Sequence, residues 1–383
     1  MAQRPLLTDR IRAAAARDPK APAFLGSSTI THGEMRSLIG AAIRMLDARG
    51  VRTGQVVALT MSQSPLHLIM FLALARMGAI SLSVAPMAEA SQRAALYRRF
   101  GVTAVVSELE DAGAPGVMLI HVRGLSARGD ETDFENMQYE PVGATPLRIA
   151  LTSGTVSERK GVEQSHEEFA IRLDRRYYGD TAVPRVLPQN LHVTAALTIV
   201  FHALSRGGAV VFPPAYDVAS MFATIRRFGV THMTLPPSHV AAMLPLLKGD
   251  APAFPELRHF RMVGVTPPRG LVEEVHRKIT PHVHVPYATT EVGVIAVGSP
   301  EILAQRPDSS GRVAPDVQLQ IVGEDGAVLP PNATGEIRVR VPGMPKGYFG
   351  GVDAAQFRDG WFYPRDYGYL TDDGFVYVLG RLD

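Results

Sequence analysis

The hexapeptide Arg-Arg-Phe-Gly-Val-Thr occurs twice in this chain, at residues 98–103 and again at residues 226–231. Each copy follows an apolar segment that begins with Gly-Ala and a stretch of helical periodicity, and each precedes another apolar run. The order strand, helix, glycine, strand is typical of a right-handed βαβ crossover. Because this unit recurs 128 residues further along, the sequence predicts two similar α/β subdomains.

The rest of the pattern extends this prediction and adds a different C-terminal part. Helical periodicity predicts the helices 34–49, 65–76, 89–100, 194–205, 217–228, 238–247 and 268–279. From residue 311, short alternating runs between Gly, Pro and Asn turns favour an antiparallel β module instead. We predict an α/β fold with mostly parallel sheets flanked by helices, plus a small β-barrel-like subdomain. The predicted boundaries give a first α/β subdomain at 1–185, a second at 186–310 and the β subdomain at 311–383.

Composition excludes several classes of function. The 383 residues carry a formal net charge of +2, and the basic residues are scattered, which argues against a nucleic-acid-binding face. The chain has no cysteine, which excludes disulfides, cysteine-ligated zinc and thiol catalysis, and which fits a reducing cytoplasm. The longest apolar run, Leu68 to Ala75, is too short to span a bilayer. The segment Arg10 to Arg17 reads as a plain amphipathic helix rather than a targeting sequence.

A hydroxyl-rich loop is the first candidate binding element. The apolar residues 147–151 run into Thr152, Ser153, Gly154 and Thr155, and Lys160 follows. Small residues let backbone N–H groups approach phosphate oxygens, hydroxyls donate further hydrogen bonds, and an ammonium group adds positive charge. The loop is not a Walker A motif, because glycine and not Ser or Thr follows Lys160. Taken alone, it is also compatible with an ordinary surface turn.

Three later segments carry further candidate residues. Residues 287–293 follow a predicted strand and combine an aromatic ring, threonines and a carboxylate, which suit a base, a phosphate and Mg²⁺. A strand end followed by a capped helix would explain them equally well. Residues 359–368 include Asp366, a suitable acceptor for ribose hydroxyls, and residues 373–383 close the chain. Asp-Gly pairs in these two segments also indicate hairpin turns.

Together the four segments resemble the adenylate-forming superfamily of acyl-CoA synthetases, nonribosomal-peptide adenylation domains and luciferases. Its phosphate loop Thr-Ser-Gly-Thr-Thr-Gly-x-Pro-Lys-Gly is similar to residues 152–161, and its Tyr-Gly-x-Thr-Glu is similar to residues 287–291. Its Gly-Trp-x-x-Thr-Gly-Asp is similar to residues 360–366, and its Gly-Arg-x-Asp hinge is similar to residues 380–383. The order and spacing of the motifs agree over essentially the whole chain.

The resemblance implies a role for each matched residue. It assigns contacts with the β- and γ-phosphates of ATP to the loop residues Thr152, Ser153, Gly154, Thr155 and Lys160. It assigns the surroundings of the adenosine to Gly264, Val265, Thr266, Tyr287, Asp366 and Arg381. Thr290 would contact the α-phosphate, Glu291 would hold Mg²⁺, and both would act in catalysis together with Lys160. His192 matches the position that borders the acyl pocket, although by itself it reads as a structural histidine.

Several positions depart from the family pattern. Val156, Ser157 and Arg159 stand where the family has Thr, Gly and Pro. Ala288 replaces a glycine, and the pair Pro364-Arg365 replaces Thr-Gly before the ribose aspartate. Each site keeps its charged or aromatic residue but loses a flexible glycine, so we expect stiffer loops.

The activity implied by the resemblance is acid–thiol ligation. Mg²⁺ and ATP would activate a small carboxylic acid as an acyl-adenylate with release of pyrophosphate, and coenzyme A would then accept the acyl group. In the family, a C-terminal domain that supplies a catalytic lysine follows the hinge aspartate, and this sequence stops at that position, Asp383. We expect that a longer protein was cut at the hinge, and the alternative is a large domain that occurs alone. We therefore expect these residues to bind nucleotide but to turn over poorly.

Some properties stay open at this point. A carrier-protein thiol could replace coenzyme A, and a non-catalytic nucleotide- or acyl-binding module is the alternative outside enzymes. Aliphatic acids, fatty acids included, aryl acids and amino acids all fit the sequence as the acid substrate. The oligomeric state is equally open, a homodimer included.

Overall fold

The computed structural model describes residues 4–125, 139–152, 159–175, 181–249, 251–306 and 308–382. The chain divides into two compact units. The first unit comprises Met1–Asp174, Asn190–Phe212 and Tyr348–Gly350, and the second comprises Arg175–Gln189, Pro213–Gly347 and Gly351–Asp383. The three-part division at residues 185 and 310 stays a prediction.

The described helices include the seven predicted from periodicity and the predicted amphipathic helix near residue 10, together with two that were not predicted, at residues 166–174 and 300–305. They are α1 (Leu7–Arg17), α2 (His32–Ala48), α3 (Pro65–Met77), α4 (Ala90–Arg99), α5 (His166–Asp174), α6 (Thr194–Ser205), α7 (Val218–Phe228), α8 (Pro237–Met243), α9 (Arg269–Lys278) and α10 (Pro300–Gln305). None of the helices among the described residues is both apolar enough and long enough to cross a bilayer.

The strands are short and lie between these helices or follow them. They are β1 (Pro22–Leu25), β2 (Thr29–Thr31), β3 (Val56–Thr60), β4 (Ile80–Ser83), β5 (Val102–Ser107), β6 (Met118–His121), β7 (Pro146–Leu151), β8 (Gly161–Ser165), β9 (Arg185–Leu187), β10 (Ala209–Val211), β11 (His232–Leu235), β12 (His259–Met262), β13 (Val283–Thr289), β14 (Gly293–Gly298), β15 (Arg312–Val313), β16 (Gln318–Val322), β17 (Gly335–Arg340), β18 (Phe357–Arg358), β19 (Trp361–Phe362), β20 (Asp366–Leu370) and β21 (Val376–Arg381).

The first unit is built on a mostly parallel sheet. Its strand order is β6-β5-β3-β4-β7-β8, with only β8 antiparallel to its neighbour. A core of apolar side chains that includes Leu82, Tyr97 and Phe100 packs against this sheet. Strands β10, β1 and β2 form a separate pairing in the same unit, parallel between β1 and β10 and antiparallel between β1 and β2.

The second unit contains a mixed sheet and an antiparallel one. Strands β9, β11, β12 and β13 run parallel, and β14 and β15 extend the sheet in the antiparallel direction. Strands β16 to β21 pair antiparallel throughout. The predicted α/β class is therefore confirmed, together with a small β-rich C-terminal part.

Both copies of the repeated hexapeptide place a left-handed glycine after the end of a helix. Gly101 follows α4 with φ +63°, and Gly229 follows α7 with φ +58°. This left-handed conformation ends a helix at little cost only when the residue lacks a Cβ atom. Strands β5 and β11 then begin at residues 102 and 232. The glycine of the repeat thus marks the turn from helix to strand, as predicted.

Two boundaries of the seven helices predicted from periodicity are wrong by more than one residue, each for a local reason. The helix predicted from residue 34 begins at His32, because Thr31 and Glu34 form a reciprocal capping box. The helix predicted over 238–247 ends at Met243, and a 3₁₀ turn covers Leu244–Leu246. Pro245 lacks the N–H group that would continue the α-helix.

Candidate functional site

The hydroxyl-rich loop connects two antiparallel strands of the first unit, β7 and β8. Thr152 and Lys160 close it, since the Thr152 N–H donates to the Lys160 carbonyl at 2.9 Å and the Lys160 N–H donates to Thr152 Oγ1 at 3.0 Å. The predicted phosphate contacts Ser153, Gly154 and Thr155 lie outside the described residues. The two strands therefore fix the ends of the loop, and Thr152 and Lys160 face each other across its base.

Lys160 and Gly161 are anchored by packing that the sequence did not indicate. The Lys160 ammonium group lies 4.9 Å from the centre of the Tyr348 ring, and Val162 pairs with Tyr348 in an isolated β-bridge. A Cβ atom on Gly161 would lie 2.4 Å from the Phe100 ring and 2.7 Å from Ile149. The glycine after the lysine is needed because the β8 backbone approaches these side chains closely.

In the second unit, Tyr287 and Asp366 form the centre of the candidate adenosine site. The Tyr287 hydroxyl donates to Asp366 Oδ2 at 2.5 Å, although 79 residues separate them in sequence. Strand β13 supplies the tyrosine, and the first residue of β20 supplies the aspartate. Asp366 is 9% exposed, and burial is the main cause that raises the pKa of both side chains above their ordinary values.

Arg381 lies beside this pair. It is the cross-strand partner of Asp366 on β21, and its Nε lies 4.0 Å from Asp366 Oδ1. The guanidinium and the Tyr287 hydroxyl favour the ionised form of Asp366, while burial and the nearby Glu291 carboxylate oppose it. Of the predicted residues, the second unit thus brings together Tyr287, Asp366 and Arg381, with Glu291 close enough to act on the aspartate.

The other predicted residues of this unit follow neighbouring strands. Residues 264–266 follow β12, and Thr290 and Glu291 follow β13; these strands are parallel neighbours, so both segments lie at the same edge of the sheet. Thr290 and Glu291 form a hairpin turn into β14, where the Val292 N–H donates to Thr289 Oγ1 at 3.3 Å. The alternative interpretation, a capped helix after this strand, is wrong because a strand follows.

Arg175 supports this turn and was not identified from the sequence. Its guanidinium donates to the carbonyls of Val292 at 2.9 Å and Val294 at 2.8 Å, and pairs with Asp316. The side chain is buried, and these bonds hold the strand that follows Glu291. Nothing in the sequence distinguishes Arg175 from the many other arginines, because its role depends on contacts more than 100 residues away.

Residue 365 keeps a glycine-like backbone although it is an arginine. Its φ is +65°, in the left-handed region that glycine adopts most easily, and the resemblance places a glycine here. Leu382 N–H donates to the Arg365 carbonyl, and Arg365 Nε donates back to the Leu382 carbonyl. The backbone that positions Asp366 is therefore retained at some cost in strain, and the loss of glycine has not changed it.

We expect Arg365→Gly to raise the free energy of unfolding by about 0.5–1 kcal/mol, since it relieves left-handed strain and loses only exposed contacts. Urea unfolding measures the change. Arg49→Gly is the matched control, because Arg49 is exposed with φ −91°. The control should lose stability, and a similar loss for Arg365→Gly would contradict the strain argument.

His192 lies in the first unit, two residues before α6 begins. It is partly buried, and its ring centre lies 5.2 Å from that of His67 on α3. Burial lowers the pKa of His192 to about 4, and that of His67 to about 3, with the neighbouring His192 as a second cause for His67. Both rings are therefore neutral at physiological pH.

Comparisons with known proteins agree on one family. A sequence profile described as "AMP-binding enzyme" matches residues 11–349. Indoleacetate–CoA ligase of Aromatoleum aromaticum is 28% identical over 377 residues, which cover 92% of this chain and 73% of that enzyme. 2-Succinylbenzoate–CoA ligase of a Geobacillus species is 30% identical over 374 residues, which cover 93% of this chain and 73% of that enzyme.

Solved structures agree on the fold. The N-terminal domain of FACL13 from Mycobacterium tuberculosis superimposes with a TM-score of 0.86 at 24% identity, covering 98% of this chain and 100% of that one. O-succinylbenzoate coenzyme A synthetase from Bacillus subtilis, solved in complex with AMP, gives a TM-score of 0.84 at 23% identity, covering 97% of this chain and 78% of that one. At these identities the likeness establishes the fold.

Proposed function

This chain belongs to the AMP-binding enzyme family, whose matched relatives are acid–thiol ligases, and from that premise we propose a specific reaction. The protein activates a carboxylic acid with ATP, releases pyrophosphate, and passes the acyl group from the adenylate to coenzyme A. The observation that carries the proposal is the contact of Tyr287 with Asp366 beside Arg381. An aromatic face next to a fixed carboxylate suits an adenine ring and its ribose hydroxyls.

Each residue has a task that follows from its chemistry. The Asp366 carboxylate accepts from the ribose hydroxyls, because charge-assisted hydrogen bonds are stronger than neutral ones. The Tyr287 ring stacks on the base, while its hydroxyl fixes the orientation of the aspartate. In the first unit, Lys160 and Thr152 contribute an ammonium group and a hydroxyl for phosphate oxygens. The reacting carboxylate needs placement and charge neutralisation more than covalent assistance.

Glu291 is the proposed ligand for Mg²⁺. The residue is 8% exposed and lies in the turn after β13, and its carboxylate supplies the oxygen donors that a hard cation prefers. A bound Mg²⁺ would neutralise charge on the phosphate oxygens. Thr290, next to Glu291 in the turn, supplies a hydroxyl for the α-phosphate.

Coenzyme A is the proposed acceptor because the matched relatives carry CoA ligase names. Their named acids range from indoleacetate and 2-succinylbenzoate to oxalate and long-chain fatty acids. Because these acids share little beyond a carboxyl group, the residues of this chain's own acyl pocket must select the acid, and His192 is the proposed border of that pocket. The expected poor turnover of these residues stays a prediction.

Pyrophosphate exchange tests the proposal. Labelled pyrophosphate should enter ATP only when a suitable acid is present, since exchange requires reversible formation of the acyl-adenylate. The assay compares a panel of aliphatic, aryl, dicarboxylic and amino acids, with and without a relative's C-terminal domain supplied in trans. Samples without acid give the background. Absence of exchange under every condition would contradict the proposed acid-activating activity and favour a non-catalytic nucleotide-binding module.

A further inference from the structure

Arg148 is a buried cation that the proposed reaction does not use. It lies on β7, its side chain is 2% exposed, and Nη2 donates to Thr194 Oγ1 at 3.4 Å. Within the described residues, Nη1 has no hydrogen-bond partner and no carboxylate pairs with this guanidinium. A buried charge without an opposite charge is costly, so such groups are normally paired.

Two other buried arginines of this chain do have a carboxylate partner. Arg93 pairs with Asp111 at 3.2 Å, and Arg175 pairs with Asp316 at 2.5 Å. The charged group that acts on Arg148 is instead a second cation, Arg172. Burial, with Arg172 as the smaller cause, lowers the pKa of Arg148 to about 9, so the guanidinium stays charged at neutral pH. Arg148 is therefore a cation whose counter-ion must come from elsewhere.

The surroundings of Arg148 also favour an anion. Thr194 is the first residue of the twelve-residue helix α6, whose N-cap residue Val193 supplies no capping side chain. The free N–H groups and the dipole of a helix N-terminus attract negative charge. His67 is close enough for Arg148 to lower its pKa, and Nδ1 of His192 lacks a hydrogen-bond partner among the described residues. A buried cation and a helix N-terminus thus coincide in the first unit.

We propose that Arg148, together with Thr194 and the N-terminus of α6, binds a second carboxylate of the acid substrate, so that the preferred substrates are dicarboxylic acids. This inference rests on the proposed function, because it takes His192, two residues before Thr194, as the border of the acyl pocket. A planar guanidinium matches a carboxylate through paired hydrogen bonds.

The position of Arg148 favours contact with the end of the acid that is remote from the reacting carboxylate, rather than contact with the phosphates. Arg148 precedes Thr152 by four residues of extended chain, which places the two about 13 Å apart along the strand. The cationic group thus lies beyond the base of the phosphate loop. Thr194, which accepts from Arg148, and His192 are partly exposed, so this side of the guanidinium lies near the protein surface.

Matched acids test the subsite. Calorimetry compares adipate with hexanoate and terephthalate with 4-methylbenzoate, so each pair differs in the second carboxylate at similar length. We expect the diacid of at least one pair to bind about tenfold tighter than its monoacid. Arg148→Met should abolish that preference by weakening the diacid about 10- to 100-fold, with the monoacid changed less than about twofold.

The melting temperature without ligand separates binding from a structural role. Arg148→Met should melt at the same temperature as the parent or higher, because it removes an uncompensated buried charge. Arg93→Met is the control: it breaks the pair with Asp111 and should keep the preference for diacids. Arg148→Gln repeats the measurement with a polar side chain should the methionine variant fail to fold.

Two results would overturn the inference: equal affinity for mono- and diacids, or a preference for diacids that survives both substitutions at Arg148. Neither result bears on nucleotide binding, which depends on Asp366 in the other unit and is measured separately with AMP. Acid-dependent pyrophosphate exchange without a preference for diacids would refute the subsite and leave the proposed function standing. Loss of exchange and of AMP binding would refute the proposed function.

Discussion

Asp366→Ala should weaken the binding of AMP about 10- to 100-fold, the effect expected when charge-assisted hydrogen bonds to a ligand are lost. The substitution removes the proposed acceptor for the ribose hydroxyls and also the partner of the Tyr287 hydroxyl. That hydroxyl is then left buried without its acceptor, so the tyrosine ring is less firmly held. Isothermal titration calorimetry with AMP at neutral pH measures the affinity directly.

Two further variants make this experiment specific. Tyr287→Phe keeps the ring and removes only the hydroxyl, so its affinity should lie between those of the parent and Asp366→Ala. Asp373→Ala is the matched control, because Asp373 is exposed and bonded to Thr371 and Arg306 in the turn after β20. AMP affinity that is unchanged in Asp366→Ala, with the melting temperature preserved, would contradict the assignment of the ribose contact.

Local sequence signals predicted most of the secondary structure. The helix predicted at 194–205 is α6 with the same bounds, and the helix predicted at 65–76 is α3 with one residue more. Helix α3 shows why: Ser64 caps it, Pro65 occupies its first turn, and Gly78 ends it with φ +68°. These signals act within a few residues, so they can be recognised in the sequence without knowledge of the tertiary fold.

The contacts that position the candidate site could not be predicted in the same way. Tyr287 and Asp366 were each identified by resemblance, but their hydrogen bond depends on how β13 and β20 pack. The bond from Arg175 to the Val292 carbonyl and the close approach of Gly161 to Phe100 also join residues that are far apart in the sequence. At Arg365, comparison with the family motif revealed the missing glycine. The left-handed backbone of this residue was seen only in the structure.

Lowering the pH should reduce the free energy of unfolding of this protein more steeply than its net charge suggests, because several histidines are buried in the neutral form. In the second unit, His232, His259 and His284 lie on neighbouring strands with ring centres 4.7 and 5.3 Å apart. Burial is the main cause that lowers the pKa of His259 to about 2 and that of His284 to about 4. Nearby His232 and Arg261 lower the pKa of His259 further.

The direction of the effect follows from where the protons bind. An unfolded histidine takes up a proton near pH 6.5, whereas folded His259 stays neutral far below that value. Between these values the unfolded chain binds more protons, so the free energy of unfolding falls as the pH falls below about 6.5. Each such histidine contributes up to about 1.4 kcal/mol per pH unit in this window, and stability is full above it.

Urea unfolding between pH 7.5 and 4.5, followed by Trp361 fluorescence, reports on the second unit through the chain's one tryptophan. His259→Phe keeps an aromatic ring in the stack and removes one titrating group, so the slope of stability against pH should decrease by about one proton. His239→Phe is the matched control, because His239 is exposed and its substitution should leave the slope unchanged. Equal slopes in the parent and in His259→Phe would show that the histidine stack does not set the acid sensitivity of this unit.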